Sequence, residues 1–256
     1  MHNILPHHYK EIDRKNSLWF YKKSDAIVFH SKNDIDRSRE LLRTTIDKMH
    51  IVIPHGNFNG SYENSISKKD ARRILNISDN NRVILCFGFI RKNRGYEYLL
   101  EAIKDMPDII VIIAGKVDDK DIYQNLLAYE RQMSNLKLFV KWIPDGEVQL
   151  YFNACDIVVL PYTDITTSGV IPLAYAFSKP VIATSIGGIR DVVNENTGIL
   201  VPPKDTDALR KAIERIFIMD LEAMGRYAHE YAKKEFSWES NAQKIKELYE
   251  SIIAAF

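Results

Sequence analysis

Short apolar runs alternate with helix-like segments along most of the chain, and this alternation limits the possible folds more than any other feature. The β-branched runs lie at residues 83–87, 109–114, 138–142, 157–160, 181–183 and 199–201. Segments with helical periodicity lie between or after them, at residues 96–104, 121–133, 147–153, 169–177 and 207–217. This order predicts repeated strand, helix, strand units that form a parallel sheet with helices on both faces.

The pattern divides the chain into four parts. Residues 81–235 predict an α/β fold with a doubly wound parallel sheet, that is, a Rossmann-like domain, and 236–256 predict a final packing helix. Residues 1–56 contain two further helix and strand pairs, with helix-like segments at 18–23 and near 34–42 and strands at 26–30 and 51–53, and these amount to only a partial second α/β domain. The polar segment 57–80 is predicted to be the linker region, with a short helix at 68–75.

Charge and composition limit the class of partner. The 35 Lys and Arg nearly match the 34 Asp and Glu, so charge does not indicate nucleic acid, and any membrane contact would have to be local. No apolar run approaches the roughly 18 residues of a membrane span, and no secretory leader is recognised. Cys86 and Cys155 lie in apolar runs and are expected to be reduced core residues. We expect a cytoplasmic protein, with peripheral contact to the inner membrane face left open.

A turn rich in hydroxyl groups and glycine follows the run at 157–160 and is the first candidate for a binding site. Ser168, Gly169 and Val170 lie where the first N–H groups of a helix are free and the helix dipole favours an anion. The turn therefore predicts a phosphate site. Alternatively, Ser and Gly only cap the helix and turn the chain, and this segment alone does not separate the two interpretations.

A second candidate site follows the first strand of the predicted sheet. Gly88 would let a ligand approach the backbone, and Arg91 and Arg94 could fork onto phosphate oxygens. The alternative is a solvated loop, which is the usual setting of a charge cluster. Ligands of doubly wound sheets bind at the carboxyl ends of strands, so the position of the loop favours the ligand interpretation.

The sequence lacks the motifs of several other kinds of binding and catalytic site. The chain has neither the Gly-x-Gly-x-x-Gly spacing of dinucleotide-binding domains nor a Walker-type Gly-Lys-Ser/Thr. Its seven histidines are scattered, so we expect no metal site. A Gly-x-Ser-x-Gly elbow is also missing, which argues against a serine nucleophile.

Several segments follow one another along the chain in the same order as the motifs of a single protein family. They are Val52-Ile53-Pro54-His55-Gly56, Gly88-Phe89-Ile90-Arg91 with Arg94-Gly95-Tyr96-Glu97, Ala114-Gly115, Asp156-Ile157-Val158-Val159-Leu160-Pro161, Ser168-Gly169, Lys179-Pro180-Val181-Ile182, Thr197-Gly198-Ile199-Leu200 and Phe236-Ser237-Trp238. Together they resemble the retaining glycosyltransferases of family 4 (group 1), which have the GT-B fold of two facing Rossmann-like domains. No single segment is diagnostic, whereas the ordered set is specific.

The resemblance implies that the carboxyl-terminal domain binds a nucleotide-diphosphate sugar. Arg91 and Arg94 match the diphosphate-binding Arg and Lys of the family, and residues 168–170 would contact the same diphosphate. The positions that contact the base in family members are occupied here by Val140, Lys141 and Trp142. The family's acceptor-facing catalytic histidine matches His2.

The chain departs from the family in two respects. Ile165 and Leu173 occupy the positions of a glutamate pair that holds the donor sugar and the ribose in many members. Either backbone groups or the side chains of Asp164, Thr166 or Thr167 would replace them, or the chain would bind the donor more weakly. Secondly, residues 1–56 are only a remnant of the acceptor-side domain, so we do not expect His2 to be poised for catalysis.

The resemblance predicts an enzyme that transfers a sugar from a UDP- or GDP-linked donor to a glycan or lipid-linked acceptor with retention, in polysaccharide biosynthesis. No cofactor and no nucleic acid are expected. One alternative is a non-catalytic module that binds a nucleotide-sugar. Another is an interaction subunit, in which a partner chain supplies the missing domain and completes a glycosyltransferase.

Overall fold

The structure is a computed structural model that describes residues 10–254. Its first part contains α1 (Glu11–Lys23), β1 (Ala26–Phe29), α2 (Lys32–Leu42), β2 (Met49–Val52) and α3 (Lys68–Ile74). The sheet domain that follows contains β3 (Arg82–Phe87), α4 (Tyr96–Ile103), β4 (Ile109–Ala114), α5 (Lys120–Gln132), β5 (Leu136–Phe139), α6 (Asp145–Ala154), β6 (Ile157–Leu160), α7 (Val170–Ala176), β7 (Val181–Thr184), β8 (Gly198–Val201), α8 (Thr206–Ile216), α9 (Leu221–Glu235) and α10 (Trp238–Ala254). Two 3-10 helices occur at Lys92–Arg94 and Gly187–Asp191.

The predicted doubly wound parallel sheet is confirmed. Its six strands lie in the order β5, β4, β3, β6, β7, β8, and every neighbouring pair is parallel. The chain runs outward from β3 to one edge and then returns to the other side of β3 with β6. In such sheets the ligand crevice lies outside the carboxyl ends of the two strands at this switch in order. The crevice is therefore expected beyond Phe87 and Leu160.

Apolar side chains cover both faces of the sheet, which explains why the strands read as continuous apolar runs. On one face, Leu85 packs with Phe152 of α6 and with residues of α7 and α9. Alternate residues of the same strands, such as Ile84, pack on the other face with Leu99 of α4 and with α5 and α8. The two layers of helices hold the strand ends at the crevice in fixed positions.

The first part of the fold contains a smaller parallel sheet of two strands, β1 and β2. Tyr21, Phe29 and Leu42 belong to its separate core beneath α1 and α2. Burial raises the pKa of Tyr21, and its hydrogen bond to Asp47 adds to this effect. The Tyr21 phenol therefore stays neutral and links α1 to the loop before β2.

The last helix, α10, ties the sheet domain to the segment after β2. Trp238 Nε1 donates to the carbonyl oxygen of Asn57 at 2.9 Å, and the Asn241 amide donates to Pro54 O at 3.1 Å. A Cβ at Gly56 would lie 2.2 Å from the Trp238 ring, closer than carbon atoms can approach. Glycine is therefore required at this contact.

One strand differs from its predicted position. The strand expected at 138–142 is found at Leu136–Phe139. The Asn135 side-chain amide donates to Ile109 O at 2.8 Å, which aligns the start of this strand with β4. The ladder then ends with Phe139 opposite Ala114, the last residue of β4. Residues 140–142 therefore lie beyond the sheet, at the crevice edge.

Two helices differ from the prediction, because one is longer than predicted and the other was not predicted. Helix α1 begins at Glu11, well before the predicted start near residue 18, and α9 was not predicted at all. Asp220 caps α9 by accepting a hydrogen bond from Ala223 N–H at 2.9 Å. A Cβ at Gly225 would lie 2.0 Å from Ser178 O, so this glycine allows α9 to pack closely against the turn that follows α7.

Candidate functional site

The loop after β3 forms the floor of the crevice. Gly88 has a φ of +103°, a conformation that side chains with a Cβ rarely adopt, and a Cβ there would lie 3.6 Å from Val170 Cγ2. The Gly88 carbonyl in turn lies against Gly115 after β4, where a Cβ would come within 1.8 Å of that oxygen. The structure therefore brings together two of the predicted site residues, Gly88 and Val170.

Arg94 connects the two strands at the switch point. It ends the 3-10 helix after β3, and its guanidinium carbon lies 4.3 Å from the ring centroid of Tyr162, which follows β6. The Tyr162 hydroxyl is hydrogen-bonded to the Ser168 side chain just before α7. Arg94, Tyr162 and Ser168 thus form one chain of contacts across the crevice.

The described residues satisfy the guanidinium of Arg94 only in part. Its Nε and Nη1 atoms are buried and have no hydrogen-bond partner within residues 10–254. Burial raises the pKa of Tyr162 and the charge of Arg94 partly offsets this, so the phenol beneath Arg94 is neutral. Buried N–H groups without an acceptor are costly, and an anion that accepts hydrogen bonds from Nε and Nη1 would remove that cost.

Arg91, the other predicted clamp, is already paired. Its Nη2 lies 3.0 Å from Asp118 Oδ2, and its guanidinium carbon lies 4.7 Å from the ring centroid of Phe89. Both partners of this ion pair are substantially exposed, so the contact is weak and screened by salt. A bound anion would compete with Asp118 for Arg91.

The residues before α7 line the crevice from the β6 side. Ser168 is 8% exposed, and its Oγ accepts a hydrogen bond from Val170 N–H at 3.3 Å. A Cβ at Gly169 would lie 3.7 Å from Nε2 of His55. His55 lies in the segment after β2 and contacts the rings of Phe58 and Trp238. It was predicted only as part of a motif, and the structure places it beside the turn.

The proposed substitutes for the family's glutamates lie in different environments. The Asp164 carboxylate is exposed and lies 3.5 Å from Arg37 of α2, so it pairs with the first part of the chain. Thr166 is buried, and its carbonyl accepts from Gly188 N–H at 2.7 Å. Thr167 is half-buried between Thr166 and Ser168. Leu173 is 5% exposed and belongs to the core.

A cavity of about 180 Å³ opens beside Gly88. Four aromatic residues, Tyr62, Phe87, Phe89 and Trp142, belong to its mainly apolar lining. The rings of Phe89 and Trp142 meet edge to face, with centroids 6.3 Å apart. The lining also contains two charged residues, Lys116 and Asp145. We call this space the aromatic cavity, and its exposed rings offer stacking surfaces for an aromatic ligand.

The three residues predicted to contact a base are not equivalent. Trp142 lines the aromatic cavity and is 64% exposed. Lys141 extends to Glu147, with Nζ and Oε2 2.6 Å apart, and Val140 packs against the core behind β5. Tyr62, Phe89 and Asp118 were not predicted. Their signal in the sequence is weak because they come from three separate loops.

Other kinds of site are not found in the described part of the chain. Residues 10–254 contain no group of three His, Cys, Asp or Glu side chains placed to hold a metal ion. In the same range, every helix is too short or too polar to cross a membrane. His2, the predicted acceptor-facing histidine, lies outside the described residues.

The family model described as glycosyl transferases group 1 matches residues 67–235, which is more than half of the chain. The chain belongs to this family. It is 32% identical over 197 residues to a D-inositol 3-phosphate glycosyltransferase of Corynebacterium urealyticum, covering 72% of this chain and 46% of the relative. It is 26% identical over 244 residues to an uncharacterized glycosyltransferase of Methanocaldococcus jannaschii, covering 89% of this chain and 60% of the relative.

Among solved structures, the fold is similar to that of HepE from Anabaena in complex with UDP and glucose. The TM-score is 0.83 at 22% identity, covering 98% of this chain and 70% of HepE. The described residues thus share the fold of HepE. The chain spans about half the length of the curated relatives it matches.

Proposed function

We propose that this chain is the donor-binding part of a retaining glycosyltransferase that moves a sugar from a UDP- or GDP-linked donor to a glycan or lipid-linked acceptor in polysaccharide biosynthesis. Residues 81–235 would bind the donor. The observation that carries the proposal is that two buried guanidinium atoms of Arg94, Nε and Nη1, lie at the switch point of the sheet without an acceptor among residues 10–254.

The donor diphosphate would lie between Arg94 and the turn at residues 168–170. Arg94 supplies a fixed positive charge. The Val170 N–H, which donates to Ser168 Oγ at 3.3 Å in the structure, would turn to the diphosphate together with the Ser168 hydroxyl. When the bond between sugar and diphosphate breaks, negative charge grows on the leaving phosphate. Groups already oriented towards that charge lower the barrier without further reorganisation.

Arg91 would act after the donor has bound. In the structure it is held by Asp118 and Phe89, both of which lie beside the crevice. A diphosphate carries more charge than one carboxylate and can accept a bidentate hydrogen bond from arginine. Arg91 would therefore leave Asp118 and close over the diphosphate.

The nucleobase would occupy the aromatic cavity beside Gly88. Stacking of a base on an aromatic side chain contributes about 1–3 kcal/mol, and Tyr62, Phe89 and Trp142 offer such surfaces. Structures of HepE, which shares this fold, contain UDP and UDP-glucose. This supports a uridine donor as the first nucleotide to test, with GDP as the second.

The sugar itself would be held differently from many family members. Ile165 and Leu173 have no polar side-chain atoms, so they cannot bind hydroxyl groups. His55, whose Nε2 lies beside Gly169, and Thr167 offer polar side chains on the α7 side of the site. The acceptor would be bound by a segment or a partner chain that corresponds to the rest of the relatives' length.

A second candidate function is a module that binds a nucleotide-sugar without turnover. The replacement of both glutamates by Ile165 and Leu173 favours it. The two functions share the donor site and differ only in transfer, so the assay for binding and the assay for turnover must be separate.

Calorimetry with UDP, GDP and UDP-glucose tests the shared site. We expect saturable binding by the wild-type chain and a loss of roughly 10-fold or more in affinity when Arg91 and Arg94 are both replaced by Ala. Arg82→Ala is the matched control, because Arg82 lies at the opposite end of β3 beside Asp108. No saturable binding, or equal affinity of the double variant, would refute the proposal. Release of UDP from UDP-glucose then separates enzyme from binding module.

A further inference from the structure

Helix α1 exposes an unusual amount of apolar surface. Ile12, Trp19 and Phe20 are 57%, 57% and 62% exposed, and the rings of Trp19 and Phe20 meet edge to face at 5.1 Å. The buried side of the same helix is formed by Tyr21, which packs in the small core beneath β1 and β2. The helix therefore carries a second apolar surface besides the one that packs on the protein.

The exposed residues form a continuous stripe. At about 100° per residue, Ile12, Trp19 and Lys23 lie within about 40° of one another, on the side opposite to Tyr21. Residues further round the same outer side are Lys15, Asn16, Phe20 and Lys22, and all of them are exposed. We call these seven residues the α1 stripe.

The charge of the α1 stripe has one sign. It contains Lys15, Lys22 and Lys23 and no Asp or Glu. The two acids of the helix lie at its margins and are already bonded. Glu11 pairs with Arg14, and Asp13 accepts a hydrogen bond from the Lys10 N–H at 2.7 Å. Asp25 is the next acid along the chain and lies beyond the end of the helix.

Lysines mixed with aromatic side chains fit a lipid surface better than a protein surface. Buried protein interfaces are depleted in Lys, because an ammonium group must be paired or left unsolvated there. At a bilayer surface the ammonium groups reach up to the phosphates while Trp and Phe enter the region beneath the head groups. The balanced charge of the whole chain does not oppose this, since only the local surface touches the lipid.

We propose that the α1 stripe docks the chain on a bilayer that contains anionic lipid. The helix would lie in the plane of the surface, with Ile12, Trp19 and Phe20 inserted and the three lysines bound to lipid phosphates. This inference goes beyond sugar transfer and does not depend on it. It gives the chain a fixed side towards the membrane whichever acceptor it uses.

Co-sedimentation with vesicles tests the proposal. The wild-type chain is expected to bind vesicles of phosphatidylcholine mixed with phosphatidylglycerol more tightly than vesicles of phosphatidylcholine alone. The triple variant Lys15→Gln, Lys22→Gln, Lys23→Gln should bind the mixed vesicles on the order of 100-fold more weakly. The double variant Trp19→Ala, Phe20→Ala should lose at least about 10-fold on the same vesicles.

Matched controls come from exposed residues elsewhere. Lys211, Lys233 and Lys234 together give the same change in net charge when replaced by Gln, and Tyr249→Ala removes an aromatic side chain that is 63% exposed on α10. Both controls should bind like the wild type. Circular dichroism establishes that every variant is folded.

Three results would overturn the proposal. The first is no binding to mixed vesicles, and the second is equal binding by the α1 variants and the wild type. The third is a change in solution mass on replacing Trp19 and Phe20 without vesicle binding, since this would show that the α1 stripe contacts another protein chain.

Discussion

Replacing Arg94 by Met should separate binding from stability. Two buried guanidinium atoms of Arg94 have no acceptor among the described residues, which costs about 1–3 kcal/mol for a buried polar group. The cation–π contact of its guanidinium carbon with the Tyr162 ring, at 4.3 Å, stabilises the folded state by roughly 0.5–2 kcal/mol. Met keeps a long side chain over the same ring and removes the charge. We therefore expect the free energy of unfolding of the empty protein to stay the same or to rise by up to about 2 kcal/mol.

The same substitution should weaken nucleotide binding. Hydrogen bonds to charged groups contribute about 1.5–3 kcal/mol, so the dissociation constant for UDP is expected to rise roughly 10- to 150-fold. Urea unfolding measures the first quantity and calorimetry the second. Arg82→Ala is the control for both, because Arg82 lies far from the crevice beside Asp108. A clear loss of stability in the empty Arg94→Met protein, or unchanged UDP affinity, would refute this reasoning.

Three further substitutions test other contacts of the site and the fold. Asp118→Asn should release Arg91 and tighten UDP binding by about 2- to 5-fold at low salt, because it removes an exposed ion pair. Weaker binding in calorimetry would mean that Asp118 positions Arg91 and does not compete for it. Trp142→Ala should weaken UDP binding by about 1–3 kcal/mol through lost stacking, and equal affinity would exclude the aromatic cavity as the base site. Gly56→Ala should lower the free energy of unfolding by about 1–3 kcal/mol, because its Cβ would lie 2.2 Å from the Trp238 ring; an unchanged urea midpoint would show that α10 can move away without cost.

The sheet was predictable because its inner strands are buried on both faces. Continuous apolar runs such as Ile109–Ala114 leave little choice of structure when helix-like segments separate them. The position of β5 was not predictable in the same way, since it depends on the Asn135 amide and on where β4 ends. Helix α9 was not predicted because its buried face contains Gly225 and small residues such as Ala228 and Ala232, which give only a weak apolar pattern.

The candidate site was only partly predictable. Gly88 and Val170 could be paired because strand ends of a parallel sheet meet at one edge, and the structure places them together. The sequence could not show that Arg94 stacks on Tyr162 or that Lys141 extends to Glu147, because these contacts depend on side-chain directions in separate loops. Such contacts follow from packing and not from spacing along the chain.

A crystal structure of the chain with bound UDP would show whether the switch point of the sheet is the donor site. We expect the diphosphate within hydrogen-bond distance of the Arg94 guanidinium and of Val170 N–H, with the uracil ring in the cavity lined by Phe89 and Trp142. Arg91 is expected to have left Asp118. A nucleotide bound elsewhere on the chain, or a crevice still empty at saturating UDP, would contradict the assignment of the switch point as the donor site.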